Sequence, residues 1–186
     1  MSKKKYQDIL IMSLFSVFIT ISIGNCFSQS TTNRGELYYK QKGYQTFSAF
    51  KLAVKTPIKL ADISYQTKHD FSLEYGGIEN QSNAQKLAVY QLIINRFPAG
   101  YKGLSKKDKN LFKEQMIKKF IGQNTAKRVK FSQDEIDGYI TQYTQKGYNA
   151  KGIIFINNDC IYGLTLISND KLEQRFNELT NGIHFY

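Results

Sequence analysis

Apolar and polar positions alternate most sharply in the last third of the chain. Gly152-Ile153-Ile154-Phe155-Ile156 is a β-branched and aromatic run, Asn157-Asn158-Asp159 follows it, and Cys160 to Ile167 resumes the run. Such side chains fit a pleated surface, while Asn and Asp tolerate the positive φ of a tight hairpin turn. The pattern therefore predicts a hairpin. Tyr162, Leu164 and Leu166 occupy one face of its second strand, Ile161 and Ile167 the other. A sheet apolar on both faces has to be covered on both. Leu172, Phe176 and Leu179 then repeat at i, i+4 and i+7, a helical stripe, and Asp170 with Glu173 reads as its capping box.

The same reading extends upstream. Phe71, Leu73 and Tyr75 alternate with Ser72 and Glu74, which predicts a strand that Gly76-Gly77 ends or bulges. Leu87 to Phe97 satisfies both periods, but its Tyr and Ile content and the nearby Pro98 favour a strand paired with the preceding one. Ser105 and Asp108 start a helix, Phe112, Met116 and Phe120 form its apolar stripe beside Ile117 and Ile121, and Gly122 stops it. Val129 and Phe131, then Tyr139, Thr141 and Tyr143, predict two more strands. Phe47, Phe50, Leu52 and Val54 suggest one half-buried strand ending before Pro57, and residues 58–63 fit either a short strand or a turn. Gln29 to Gln45 is polar and aperiodic, and reads as a tether or loosely docked arm. The sum is an α+β domain over 46–186: an antiparallel meander with two packed helices.

The N-terminus has a different character. Lys3, Lys4 and Lys5 precede Ile9 to Ile23, an uncharged apolar run too short to span a bilayer comfortably. With Cys26 and Ser28 at the −3 and −1 positions of a cleavage site, residues 1–28 read as a secretory signal peptide. A second reading competes for the same residues: Ile23-Gly24-Asn25-Cys26 resembles a lipobox whose cysteine would be lipidated, although Asn25 stands where a smaller residue is usual. Export to the bacterial envelope, periplasmic or secreted, is expected either way, with a membrane-anchored lipoprotein as the alternative.

Charge sharpens this picture. The chain carries a formal +11, and residues 1–28 contribute Lys3, Lys4, Lys5 and Asp8 to it, leaving +9 beyond them. Lys102 to Lys130 holds ten basic side chains against Asp108 and Glu114, while residues 131–186 hold four basic and seven acidic ones. The candidate patch is Lys106, Lys107 and Lys118 on the helix with Lys127, Arg128 and Lys130 after it. Nucleic acid is the common partner of such a stretch, but an exported protein meets little of it. An anionic envelope component or an acidic protein fits better.

Candidate chemistry is sparse. The sequence has no phosphate loop, zinc spacing or nucleophile elbow, and no cofactor is implied. If residues 1–28 are removed, Cys160 is the remaining cysteine, and as a nucleophile it would need His69 or His184 beside it. His184 reads as a surface or edge histidine, and Asp134, Glu135 and Asp137 read as a solvated turn.

Phe50-Lys51-Leu52-Ala53-Val54 with Pro57 shortly after, and the run from Gly152 to Phe185, carry a resemblance. They give a strand pair, an acidic helix start, an aromatic within the helix and a closing apolar-aromatic pair. In this order the chain resembles the PsbP and Mog1-like group of small α/β sandwich domains. The resemblance implies a mostly non-catalytic protein, a binding module or exported accessory factor, and supplies no active-site residues. The expected function is thus an exported, non-enzymatic binding or accessory protein. An envelope hydrolase with a site assembled from distant residues is the alternative.

Overall fold

The computed structural model describes residues 34–64, 72–80, 82–83, 85–132, 134–145 and 147–186. The expected signal peptide, Cys26, His69 and Phe71 lie outside these residues.

Seven strands form one antiparallel sheet: β3 (Ala61–Asp62), β4 (Ser72–Glu79), β5 (Ala88–Arg96), β6 (Ala126–Phe131), β7 (Ile136–Gln145), β8 (Tyr148–Asn157) and β9 (Cys160–Ser168). Their order is β3-β4-β5-β9-β8-β7-β6. After β5 the chain leaves as helix α2 (Lys106–Ile121), enters the far edge at β6, and meanders back until β9 pairs with β5. The crossing spans four strand spacings, about 19 Å, and a 16-residue helix is about 24 Å long. The helix is the right length to carry the chain across. Asn158, at φ 48°, turns the β8–β9 hairpin as its sequence predicts.

Three shorter strands, β1 (Gln45–Phe47), β2 (Leu52–Val54) and β10 (Ile183–Phe185), make a second sheet in the order β1-β2-β10. It covers the opposite face of the large sheet from α2, together with helix α3 (Leu172–Asn181). The main core lies in between: Leu52, Val54, Tyr90, Leu92, Ile94, Ile153, Phe155, Tyr162, Leu164, Phe176, Leu179 and Ile183 are all buried there. The smaller core under α2 joins Ile154 and Ile161 to Phe112, Met116, Ile117, Phe120 and Ile121. No α2 side chain is fully buried, so that helix sits on the sheet rather than in it.

Several expectations need correction. Phe47 to Val54 is not one strand. Residues Ser48–Phe50 form a single 3-10 turn, Lys51 takes a left-handed φ of 50°, and β1 and β2 pair as a hairpin. Gly76 and Gly77 neither end nor bulge β4, which pairs with β5 in unbroken register from Ser72 to Glu79. The glycines instead admit neighbours: a Cβ on Gly77 would lie 2.6 Å from Ile58 Cδ1. Asp170 does not cap α3. Lys171, at φ 50°, holds the N-cap position without a side-chain bond, and Asp170 pairs with Arg175.

The polar segment expected as a tether contains a third helix, α1 (Arg34–Gln41). Tertiary contacts hold it. Glu36 is buried, accepts a 2.7 Å bond from the Ser48 hydroxyl and pairs with Lys40, and these partners hold its carboxyl below the usual range. Tyr39 stacks on His184 at 5.2 Å, with Tyr44 edge-on to the same imidazole. His184 is therefore buried rather than on the surface. It lies on the small sheet's outer face, so α1 and α2 occupy opposite sides of the molecule.

Candidate functional site

Each half of the candidate basic patch has its own local cause. Ser105 Oγ accepts from the Asp108 amide at 3.2 Å, starting α2 where the sequence places it, and Gly122, at φ 61°, ends it. Phe112, Met116 and Phe120 then fix the buried face. Lys107, Leu111 and Lys118 follow at i, i+4 and i+11, near whole turns, and so share the opposite face. Lys106, Lys107 and Lys118 are exposed, and none makes an ion pair among the described residues.

Strand register sorts the remaining three. Arg128 lies opposite Tyr139, which lies opposite Ile154, the residue under α2. Arg128 and Lys130 therefore project from the same sheet face as α2. Lys127 aligns with Ile140 and Ile153 of the main core and projects from the opposite face. The structure thus brings five of the six candidates to one side and sends Lys127 to the other.

The Arg128 and Lys130 charges are also partly neutralised. Asp137 lies 3.1 Å from Lys130 Nζ and 3.6 Å from Arg128, and these cations, Lys130 first, hold its carboxyl below the usual range. Both lie on β6, an edge strand, where exposed cations also discourage pairing with another chain. The unpaired cations of α2 are the stronger candidates for recognition.

The residues with chemical potential do not converge. Cys160 is buried at the end of the β8–β9 turn, and desolvation pushes its thiol above the ordinary range. His184 is on the small sheet, 3.6 Å from Asp134. Asp134 and Glu135 turn the chain between β6 and β7, and Asp137 is engaged as described. Among the described residues no cluster of three His, Cys, Asp or Glu side chains is placed to hold a metal. Two open depressions of about 300 and 330 Å³ flank β1, one lined by Phe47, Phe50, Leu73 and Tyr75, the other by Tyr44, Pro57, Ile58 and Lys59. Neither includes Cys160 or His184.

No protein-family model and no curated protein matches the chain. Two solved structures are similar in fold. One is a crystal structure of a protein from Bacteroides thetaiotaomicron VPI-5482, 12% identical, with a TM-score of 0.44 over 76% of this chain and 47% of that one. The other is the solution structure of cyanobacterial PsbP (CyanoP) from Synechocystis sp. PCC 6803, 8% identical, with a TM-score of 0.40 over 77% of this chain and 91% of that one. The chain spans about half the length of the Bacteroides protein. These are likenesses of fold and assign no function.

The exposure of Leu104, just before α2, and of Leu111 within it was not read from the sequence. Leu111 was legible there: it interrupts the lysines on the face opposite Phe112 and Met116.

Proposed function

We propose that this is an exported, non-enzymatic binding or accessory protein of the bacterial envelope that engages an anionic surface through the α2 side of its sheet. The observation that carries this reading is the exposed face of α2, where Lys106, Lys107 and Lys118 stand without ion-pair partners among the described residues. Clustered cations focus potential and steer anionic partners. The alternative, an envelope hydrolase, draws no support from the described residues.

Two experiments test the reading. Replacing Lys106, Lys107 and Lys118 together by Gln should leave the thermal midpoint nearly unchanged, because exposed charges contribute little to folding. It should weaken binding to anionic vesicles by about 100-fold at low salt, at roughly 1 kcal/mol per lysine near the surface. Wild-type binding should itself weaken as salt screens it over about 10 Å at 0.1 M. Absence of salt-sensitive binding to any anionic surface would leave the patch as a solubilising face. For export, mass measurement of the protein recovered from its host should give a chain beginning near Gln29. A diacylated Cys26 would make it a lipoprotein, and an intact Met1 would remove cleavage after Ser28.

A further inference from the structure

Four large hydrophobic side chains are exposed among the described residues: Leu37 and Tyr38 on α1, and Leu104 and Leu111 at α2. Single exposed leucines are ordinary. The setting of the second pair is not. Leu111 is 52% exposed and lies between Lys107 and Lys118 along one face of the helix. Leu104, 38% exposed, lies three residues before Lys107, just ahead of the Ser105 cap. The core does not account for either residue, since α2 already packs on the sheet through Phe112, Met116 and Phe120 on its far side. An apolar side chain in solvent, with Lys107 one turn before it and Lys118 two turns after it on the same face, and Asp108 and Glu114 beside it, matches the layering of a lipid interface. The leucines meet acyl chains while the ammonium groups reach up to headgroup phosphates. An acidic polysaccharide would satisfy the lysines and leave the leucines in water.

Resting on the anionic-surface reading above, we propose that the partner is an anionic lipid bilayer, on which α2 lies with Leu104 and Leu111 inserted below the headgroups. Lys106, Lys107 and Lys118 then contribute the attraction, and the leucines the preference for a bilayer over a soluble polyanion. Glu114, on the same face, reduces that attraction without cancelling it, because the exposed Lys106, Lys107 and Lys118 outnumber it.

The chain has no tryptophan, so a single introduced one reports without background. Two full-length variants, Leu111→Trp and Leu37→Trp, place reporters on opposite sides of the molecule. With vesicles of phosphatidylcholine and phosphatidylglycerol, the reporter at 111 should shift to the blue and be quenched by brominated acyl chains, and the reporter at 37 should do neither. In the wild-type background, Leu104→Gln with Leu111→Gln should weaken vesicle binding by about tenfold or more, and leave binding to a soluble acidic polysaccharide unchanged. Circular dichroism confirms that each variant is folded.

The outcomes separate. Salt-sensitive vesicle binding with an unquenched reporter at 111 overturns bilayer insertion while the anionic-surface reading stands. Quenching at 37 alone places the bilayer on the α1 side and overturns the assignment. Vesicle binding that salt does not weaken, with the reporter at 111 unquenched, attributes the binding to the apolar N-terminal run and overturns both readings. Binding to the polysaccharide but not to vesicles makes the partner a carbohydrate. Binding to neither removes the anionic-surface reading as well.

Discussion

Phe176→Ala should destabilise the domain by about 3–5 kcal/mol, measured by urea unfolding with an unchanged m-value. Phe176 is 1% exposed and belongs to the core that joins Tyr162, Leu164 and Leu166 of β9 to the small sheet. Truncation removes the transfer free energy of the ring and leaves a cavity between the helix and the large sheet. The helix packs against β8 and β9 of the large sheet, so collapse onto the void would require helix and sheet to move together. The ring has a second role, since Lys151 Nζ lies 5.4 Å over its face while pairing with Glu173. Phe176→Leu should therefore recover most of the packing but none of this contact, and cost clearly less than the alanine. A loss below about 1 kcal/mol for Phe176→Ala would mean that α3 does not dock there.

The same residue shows what was legible in the sequence. Leu172, Phe176 and Leu179 repeat at helical spacing, and the strands on either side of Asn158 have the composition of a buried hairpin, so their packing followed from pattern alone. The helix at 106–121 was legible for the same reason, with its own period and stop signals, and so was a strand pair within 71–97, although Gly76-Gly77 read as the end of a strand that runs on to Glu79. What stayed hidden depends on contacts distant in sequence. β2 pairs with β10 through Val54 and Ile183, and nothing in either triplet names the other. α1 has no apolar stripe of its own. It is held by Glu36 on Ser48 and by Tyr39 on His184, and a Cβ on Gly35 would lie 2.8 Å from Tyr186 Cβ. Lys51 and Lys171 adopt left-handed φ although neither is Gly, Asn or Asp, so the turns they make had no local signal.

The basic patch was legible as charge but not as geometry. Counting lysines placed Lys127 with Arg128 and Lys130, whereas a strand sends consecutive residues to opposite faces. Only the register with Tyr139 and Ile140 tells which of them looks toward α2. Counting also missed Asp137, which shares its charge with both Arg128 and Lys130. The helical lysines survive this sorting because nothing acidic folds back onto them among the described residues.

The second large effect should come from a polar contact that sequence alone did not suggest. Arg175, one residue before Phe176, points from α3 to the edge of the large sheet. Its Nη1 donates to Glu79 at 2.6 Å and to the Tyr90 hydroxyl at 3.2 Å, and its Nη2 donates to Asp170 at 3.3 Å. One guanidinium thus joins α3, β4, β5 and the loop before the helix. Its side chain is only 17% exposed, so water cannot fully replace the bonds it makes. Burial works against its charge, but Tyr90 and Glu79 outweigh that and strengthen its hold on the proton. Arg175→Ala should cost about 2–4 kcal/mol, somewhat under the range for a fully buried pair because Glu79 and Asp170 retain some access to solvent. Most of that loss comes from leaving Glu79 half-buried without its partner, not from the net worth of the pair. Arg175→Met combined with Glu79→Gln should consequently be milder than Arg175→Ala, since it removes both charges and keeps the aliphatic cover over Tyr90. Urea unfolding of Arg175→Met, Glu79→Gln and their double variant completes the cycle. A cost below about 1 kcal/mol for Arg175→Ala, or a double variant as damaging as the two singles added, would show that the guanidinium does not tie these elements together.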